Sequence, residues 1–180
     1  VLFAQDLEDR MQWGLGSQGI PNEWTKSTGK GVRVGVIDTG RPDHEDVAES
    51  IVASKNFSSS NTDLDRHGHS THVCSILGAR RNGKGVVGVA PDCEIVTAKA
   101  LGEDGSGTDE AVASSIYYCL EQGCDILSMS LGGGYSQRIA EAVNRALLAG
   151  KYVVSAAGNE GARGMGYPAK SGHTVAVASY

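Results

Sequence analysis

Three polar residues in this sequence have the chemistry to move a proton or hold a developing charge. Asp38 closes the run Val32-Arg33-Val34-Gly35-Val36-Ile37 and is followed by Thr39-Gly40. His69 comes 31 residues later, within Gly68-His69-Ser70-Thr71-His72-Val73. Asn159 follows Ala156-Ala157-Gly158. An imidazole with an ordinary pKa of about 6.5 can take a proton from a hydroxyl and return it to a leaving amine. A neighbouring buried carboxylate fixes its tautomer and stabilises the imidazolium. A side-chain amide can donate to an oxyanion as it forms. Each has a plainer reading as well. A strand-end Asp can cap a turn through its own backbone, and Gly-Asn is a common polar turn.

Elements able to position these groups are legible. Short β-rich runs cover residues 32–37, 93–98, 125–131, 152–157 and 174–179, mostly apolar and suited to strands buried on both faces. Helical patterns lie between them. Val112, Ser115, Ile116, Cys119 and Leu120 share one face, with Asp109 and Glu110 in the first turn and Gly123 at the stop. Ile139, Val143, Ala146 and Leu147 form another, closed by Gly150, and a third helix is expected from His69 to about Ala79. Residues up to about Lys30 are broken by glycines and read as irregular. Strands alternating with helices predict an α/β fold in three layers: a mostly parallel sheet with helices on both faces. In such sheets the active groups gather beyond the carboxyl ends of the strands. Asp38, Ser130 and Asn159 all punctuate strand ends. Ser130 closes a strand instead of sitting in a Gly-x-Ser-x-Gly elbow, so it is a poor nucleophile.

The 180 residues suffice for one domain with its own core. With 40% hydrophobic and 21% charged residues, the composition is that of a globular protein. A formal net charge of -5 without a basic run argues against nucleic acid or an anionic membrane as partner. No apolar stretch approaches the ~20 residues a membrane helix needs. Cys74, Cys93, Cys119 and Cys124 lack C-x-x-C or zinc-ligand spacing and read as four buried thiols, with one disulfide conceivable. Free thiols lean toward a reducing compartment such as the cytoplasm. A dinucleotide-binding fold is excluded, because the first strand ends in Asp-Thr-Gly and not in G-x-G-x-x-G.

Val36-Ile37-Asp38-Thr39-Gly40, Gly68-His69-Ser70-Thr71-His72-Val73, Met129-Ser130-Leu131-Gly132-Gly133 and Ala156-Ala157-Gly158-Asn159-Glu160 resemble, in this order, the segments of the subtilisin-like serine proteases. Gly88-Val89-Ala90-Pro91 and Gly166-Tyr167-Pro168 match further family segments. The resemblance runs from about Trp13 to Tyr180. It implies a serine endopeptidase in which Asp38 orients the base, His69 is the base and Asn159 is the oxyanion donor. His67 lacks the histidine three residues on that the pattern requires and reads as a surface residue. His72 is expected to pack and hydrogen-bond inward. Ser70, Cys74 and Ser75 replace the usual small residues, so the helix can still pack closely, and Cys74 reads as a plain buried thiol near the site.

The resemblance further implies that Gly105-Ser106-Gly107 and Ser130-Leu131-Gly132, with Gly158, hold an extended peptide substrate. For the first of these, simple turn chemistry explains the residues equally well. Asn82-Gly83-Lys84-Gly85-Val86 resembles the family's calcium loop, with Asp46 and Asp9 near further ligand positions. Carbonyls of Arg80, Lys84 and Val86 would complete a structural Ca2+ site of six to eight oxygens. Against it, Arg80, Arg81 and Lys84 bring positive charge, and a metal-free turn is as good a reading. The family's Gly-Thr-Ser-Met-Ala nucleophile segment has no match in the sequence. The expectation is therefore a single peptidase domain over 1–180, incomplete at its C-terminus. Its triad serine would lie outside this chain, in the C-terminal remainder of the same protein, and a pro-segment is a further implied partner. The competing reading is a non-catalytic peptide-binding module or an inactive fragment. Family resemblance implies secretion, against the lean given by the cysteines.

Overall fold

The computed structural model describes residues 12–159, 161 and 164–179. The elements, in chain order, are α1 (Trp13–Ser17), α2 (Ile20–Glu23), β1 (Arg33–Asp38), α3 (Glu45–Ala48), β2 (Ile51–Asn56), α4 (His69–Gly78), β3 (Glu94–Lys99), α5 (Asp109–Glu121), β4 (Ile126–Met129), α6 (Gln137–Leu148), β5 (Tyr152–Ala156), a 3-10 turn (Ala169–Ser171) and β6 (Val175–Val177). Six strands form one sheet in the order β2-β3-β1-β4-β5-β6, and every pair is parallel. β1 is central, flanked by β3 and β4, which places the end of β1 where the strand order reverses direction.

The two faces of the sheet follow from the alternation of side chains along each strand. Val34, Val36 and Ile95 point to one face and pack with Val47 of α3, Cys74 of α4 and Cys93. Ile37, Val96, Ala98, Leu127 and Val153 point to the other and pack with Val112, Ile116, Cys119, Ile139, Val143 and Ala146 of α5 and α6. The α/β three-layer reading therefore holds, with helices on both faces. Thr108 caps α5 by accepting from Ala111 N, and Ser136 caps α6 by accepting from Ile139 N. Among the described residues no helix is long and apolar enough to cross a membrane.

Four sequence expectations change. Residues up to Lys30 are not uniformly irregular, because α1 and α2 form there as short helices without buried side chains. β2 had no strand signal. It is an edge strand of partly exposed residues including Ser54, Lys55 and Asn56, and it joins β3 with a register shift between Ile51 and Ala53. β6 was expected to be buried on both faces, but all three of its residues are exposed, with Val175 and Val177 each at 53%. His72 is exposed, not inward. Ser70, Cys74 and Gly78, spaced at four residues, form the buried face of α4, and His72 lies about 200° round from Ser70.

All four cysteines are buried free thiols. Burial pushes the Cys74 thiol up to about 12, so it carries almost no thiolate at neutral pH. We expect Cys74 to resist iodoacetamide in the folded protein and to react on denaturation, read by peptide mass mapping. The middle of β1 is equally constrained. A Cβ on Gly35 would sit 2.6 Å from Cys119 Sγ and 2.8 Å from Cys119 Cβ. Gly35→Ala should destabilise by about 1–3 kcal/mol through overpacking. Adding Cys119→Ala should recover only part of this, since the Cβ contact remains. Denaturant unfolding of the two variants beside the unsubstituted protein reads both effects.

Candidate active site

β1 ends at Asp38, and α4 begins at His69. The fold brings these ends together. His69 Nδ1 lies 2.8 Å from Asp38 Oδ1 and 2.9 Å from Oδ2. The Asp38 side chain is 1% exposed, whereas the His69 ring is 39% exposed, so the carboxylate is sealed behind the imidazole. Thr39 N donates to Asp38 Oδ1 at 2.7 Å. A carboxylate held in this way favours the Nδ1–H tautomer and leaves Nε2 to accept a proton.

His69 opens onto a cleft of about 570 Å3. One wall is Gly105, Ser106 and Gly107; another is Ser130, Leu131, Gly132, Gly133 and Gly134. The first wall folds as a tight loop in which Gly102 N donates to Ser106 O at 2.7 Å. The second runs on from β4 past the last ladder position, Met129 opposite Ser155. Gly133 and Tyr167 exchange backbone hydrogen bonds at 3.1 and 2.9 Å, which holds this wall against the cis Tyr167–Pro168 segment. Leu101, Val112, Leu131, Ile139 and Tyr167 supply apolar surface, and Asp104 and Asp109 are the carboxylates among the lining residues. His67 also lines the cleft, its ring edge-on to His69 at 6.2 Å. It is exposed, as its loop position suggested.

The structure thus gathers His69, Gly105, Ser106, Gly107, Ser130, Leu131 and Gly132 around one cleft, with Asp38 buried behind the His69 ring. Gly158 and Asn159 lie exposed just beyond the carboxyl end of β5 and are not among the cleft's lining residues.

Two buried or half-buried charges at this site escaped the sequence reading. Lys99 at the end of β3 is 0% exposed, and its Nζ donates to Thr39 O at 2.7 Å and Leu64 O at 2.8 Å. Asp65 accepts from Thr39 Oγ1, His67 N, Gly68 N, Thr71 N and Thr71 Oγ1 at 2.6–3.1 Å. Burial opposes its charge, but the hydrogen bonds from Thr71, Gly68 and Thr39 outweigh it and hold the carboxyl below its ordinary range. The signal available for Asp65 was an acid three residues ahead of Gly68-His69, placed to cap the helix start.

The calcium expectation meets a mixed set of residues. Asp46 is 4% exposed. Its Oδ2 accepts from Val86 N at 2.8 Å, while its Oδ1 is buried without a hydrogen-bond partner. Gly85, at φ 58°, has no Cβ, and one there would collide with the Asp46 carboxylate. The orphan oxygen is the feature that fits a cation. Asn82 Oδ1 accepts from Lys84 N at 3.0 Å within the same loop. Two of the three cations named against the site are engaged elsewhere: Arg80 reaches Pro91 O and Glu49 O, and Arg81 stacks over Trp24. Among the described residues no group of three or more His, Cys, Asp or Glu side chains could hold a metal, so backbone carbonyls would have to complete the shell. Asp9 lies outside the described residues.

Residues 29–180 match the sequence model of the Subtilase family. The "Intracellular serine protease" of Paenibacillus polymyxa is 37% identical, over 98% of this chain and 58% of its own length. "Thermitase" of Thermoactinomyces vulgaris is 37% identical, over 93% of this chain and 62% of its own. "Subtilisin DY" of Bacillus licheniformis is 40% identical, over 83% and 56%. The chain thus spans between half and two thirds of the length of each of these three relatives. A parallel sheet whose central strand presents an acid to a histidine at the start of the next long helix, matched over this much of its length, belongs to the subtilase family.

Proposed function

We propose that this chain carries the general base, its orienting acid and the oxyanion donor of a serine endopeptidase. The observation that carries the reading is the contact of buried Asp38 with both its oxygens on His69 Nδ1, at the rim of a peptide-sized cleft. The nucleophilic serine is supplied by sequence outside these 180 residues. Its Oγ attacks the scissile carbonyl as His69 Nε2 takes the proton, and Asp38 stabilises the resulting imidazolium. Asn159 donates its amide to the oxyanion. His69 then passes the proton to the departing amine, and water releases the acyl group by the same route in reverse.

The glycine-lined walls at 105–107 and 130–134 let a substrate backbone approach closely and pair as an added strand. Their apolar neighbours favour peptides with large apolar side chains. A structural Ca2+ would sit between Asp46 and the Asn82 loop. Bound there, it would neutralise the Asp46 carboxylate and pin the loop, without entering the chemistry.

In the full-length protein a fluorophosphonate should label one serine stoichiometrically. Asp38→Asn should lower kcat by about 10⁴-fold with KM little changed, as expected when the wrong tautomer is presented. A folded full-length protein whose serine stays unlabelled would leave the fold as a peptide-binding module. Calcium is tested separately by thermal unfolding. Ca2+ at 100-fold above its dissociation constant should stabilise the protein by about 2.7 kcal/mol, and Asp46→Asn should abolish the gain. Equal melting with Ca2+ and with chelator would remove the metal from this loop.

A further inference from the structure

We infer that Asp65, acting with Thr39, is a positioning residue that fixes the base at the start of α4 relative to Asp38. The inference deepens the protease reading and rests on it for its catalytic consequence, but the geometry stands independently.

The first turn of a helix leaves N–H groups without intrahelical partners. The N-cap of α4 is Gly68, which has no side chain to offer them. Asp65 and Thr39 take over that role from outside the helix. Asp65 Oδ1 accepts from Gly68 N at 2.9 Å, Thr39 Oγ1 accepts from Ser70 N at 3.0 Å, and Asp65 Oδ2 accepts from Thr71 N at 2.7 Å. His69 lies between these anchored positions, so its backbone is fixed from both sides. A carboxylate at the helix start also matches the helix dipole.

The same two residues close a ring. Thr39 Oγ1 donates to Asp65 Oδ1 at 2.8 Å. Thr39 N meanwhile holds Asp38 Oδ1. The chain of bonds therefore runs from Asp38 through Thr39 and Asp65 to the turn bearing His69, and returns through the Asp38–His69 contact. The backbones on either side are zipped together: Arg41 N donates to Asp63 O at 2.7 Å and Asp65 N to Arg41 O at 2.8 Å. Lys99 bridges Thr39 O and Leu64 O from below. An acid whose only task was to cap a helix would not need the Thr39 hydroxyl. That bond ties the cap to the strand end carrying Asp38.

The test uses Asp65→Asn and Thr39→Val in the full-length protein; both keep side-chain shape, the first replacing one of the two acceptor oxygens with a donor amide and the second removing the hydroxyl. Three readouts are taken: melting temperature, the low-field proton resonance of His69 Nδ1–H in the protonated imidazole, and the rate of fluorophosphonate labelling per folded molecule. The expected result is a folded protein whose resonance shifts or broadens, with labelling and kcat down about 10²-fold and KM little changed, because a small displacement of the base suffices. The double variant should lose no more than the worse single one, as for two members of one ring. An unchanged resonance in both folded variants would overturn the inference. If Asp65→Asn fails to fold, Thr39→Val carries the test. If wild-type protein shows the resonance but is not labelled, the protease reading falls, and the resonances of the variants still decide the positioning role.

Discussion

An ionised carboxylate at 1% exposure is stable only if its charge is met on the spot. For Asp38 the partners are the His69 ring and the Thr39 N–H. The surrounding architecture maintains this arrangement. β1 lies at the centre of a parallel sheet: its ladder with β4 covers Val34 to Val36, and its ladder with β3 carries on to the carboxyl end, with Arg33 to Asp38 in register with Glu94 to Lys99. His69 comes from a different element, α4, which docks through Ser70, Cys74 and Gly78. These small residues let the helix lie close to the sheet, and its first turn reaches the end of β1. Replacing the family's usual small residues at 70 and 74 by Ser and Cys keeps that closeness.

Sheet and helices differ in how they fix their groups. The strand end is held by main-chain ladders, which depend weakly on side-chain identity. The helix start is held by side chains from other segments, because its own N-cap is a glycine. Asp38 and His69 therefore owe their alignment to separate sets of interactions, and the loop of residues 63–65 is where the two meet.

Much of this was legible in the sequence where physics leaves a periodic trace. β1, β3, β4, β5, α5 and α6 bury continuous or 3.6-residue apolar patterns, and each was found. β2 was missed because an edge strand needs no unbroken apolar run, and Ser54, Lys55 and Asn56 gave none. β6 misled in the opposite sense: Val175-Ala176-Val177 reads as core yet is exposed. Asp38 and His69 stood out because their flanking residues are distinctive. Asp65 did not, since an acid in the polar stretch Thr62-Asp63-Leu64-Asp65-Arg66 reads as a solvated loop residue until its donors are seen. Lys99 was hidden for a related reason. A lysine at a strand end ordinarily extends to water, and only three dimensions show two carbonyls waiting for it in the interior.

The exposed strand β6 bears on how this polypeptide behaves as a material. With Val175 and Val177 half bare at one margin of the sheet, and Tyr152 and Leu148 exposed on neighbouring elements, it presents unpaired backbone beside apolar surface. Such a margin is a template for edge-to-edge pairing between copies. Among the described residues β6 pairs on one side only, so its other side offers a row of N–H and C=O groups, in the sheet's own register, to an incoming extended segment.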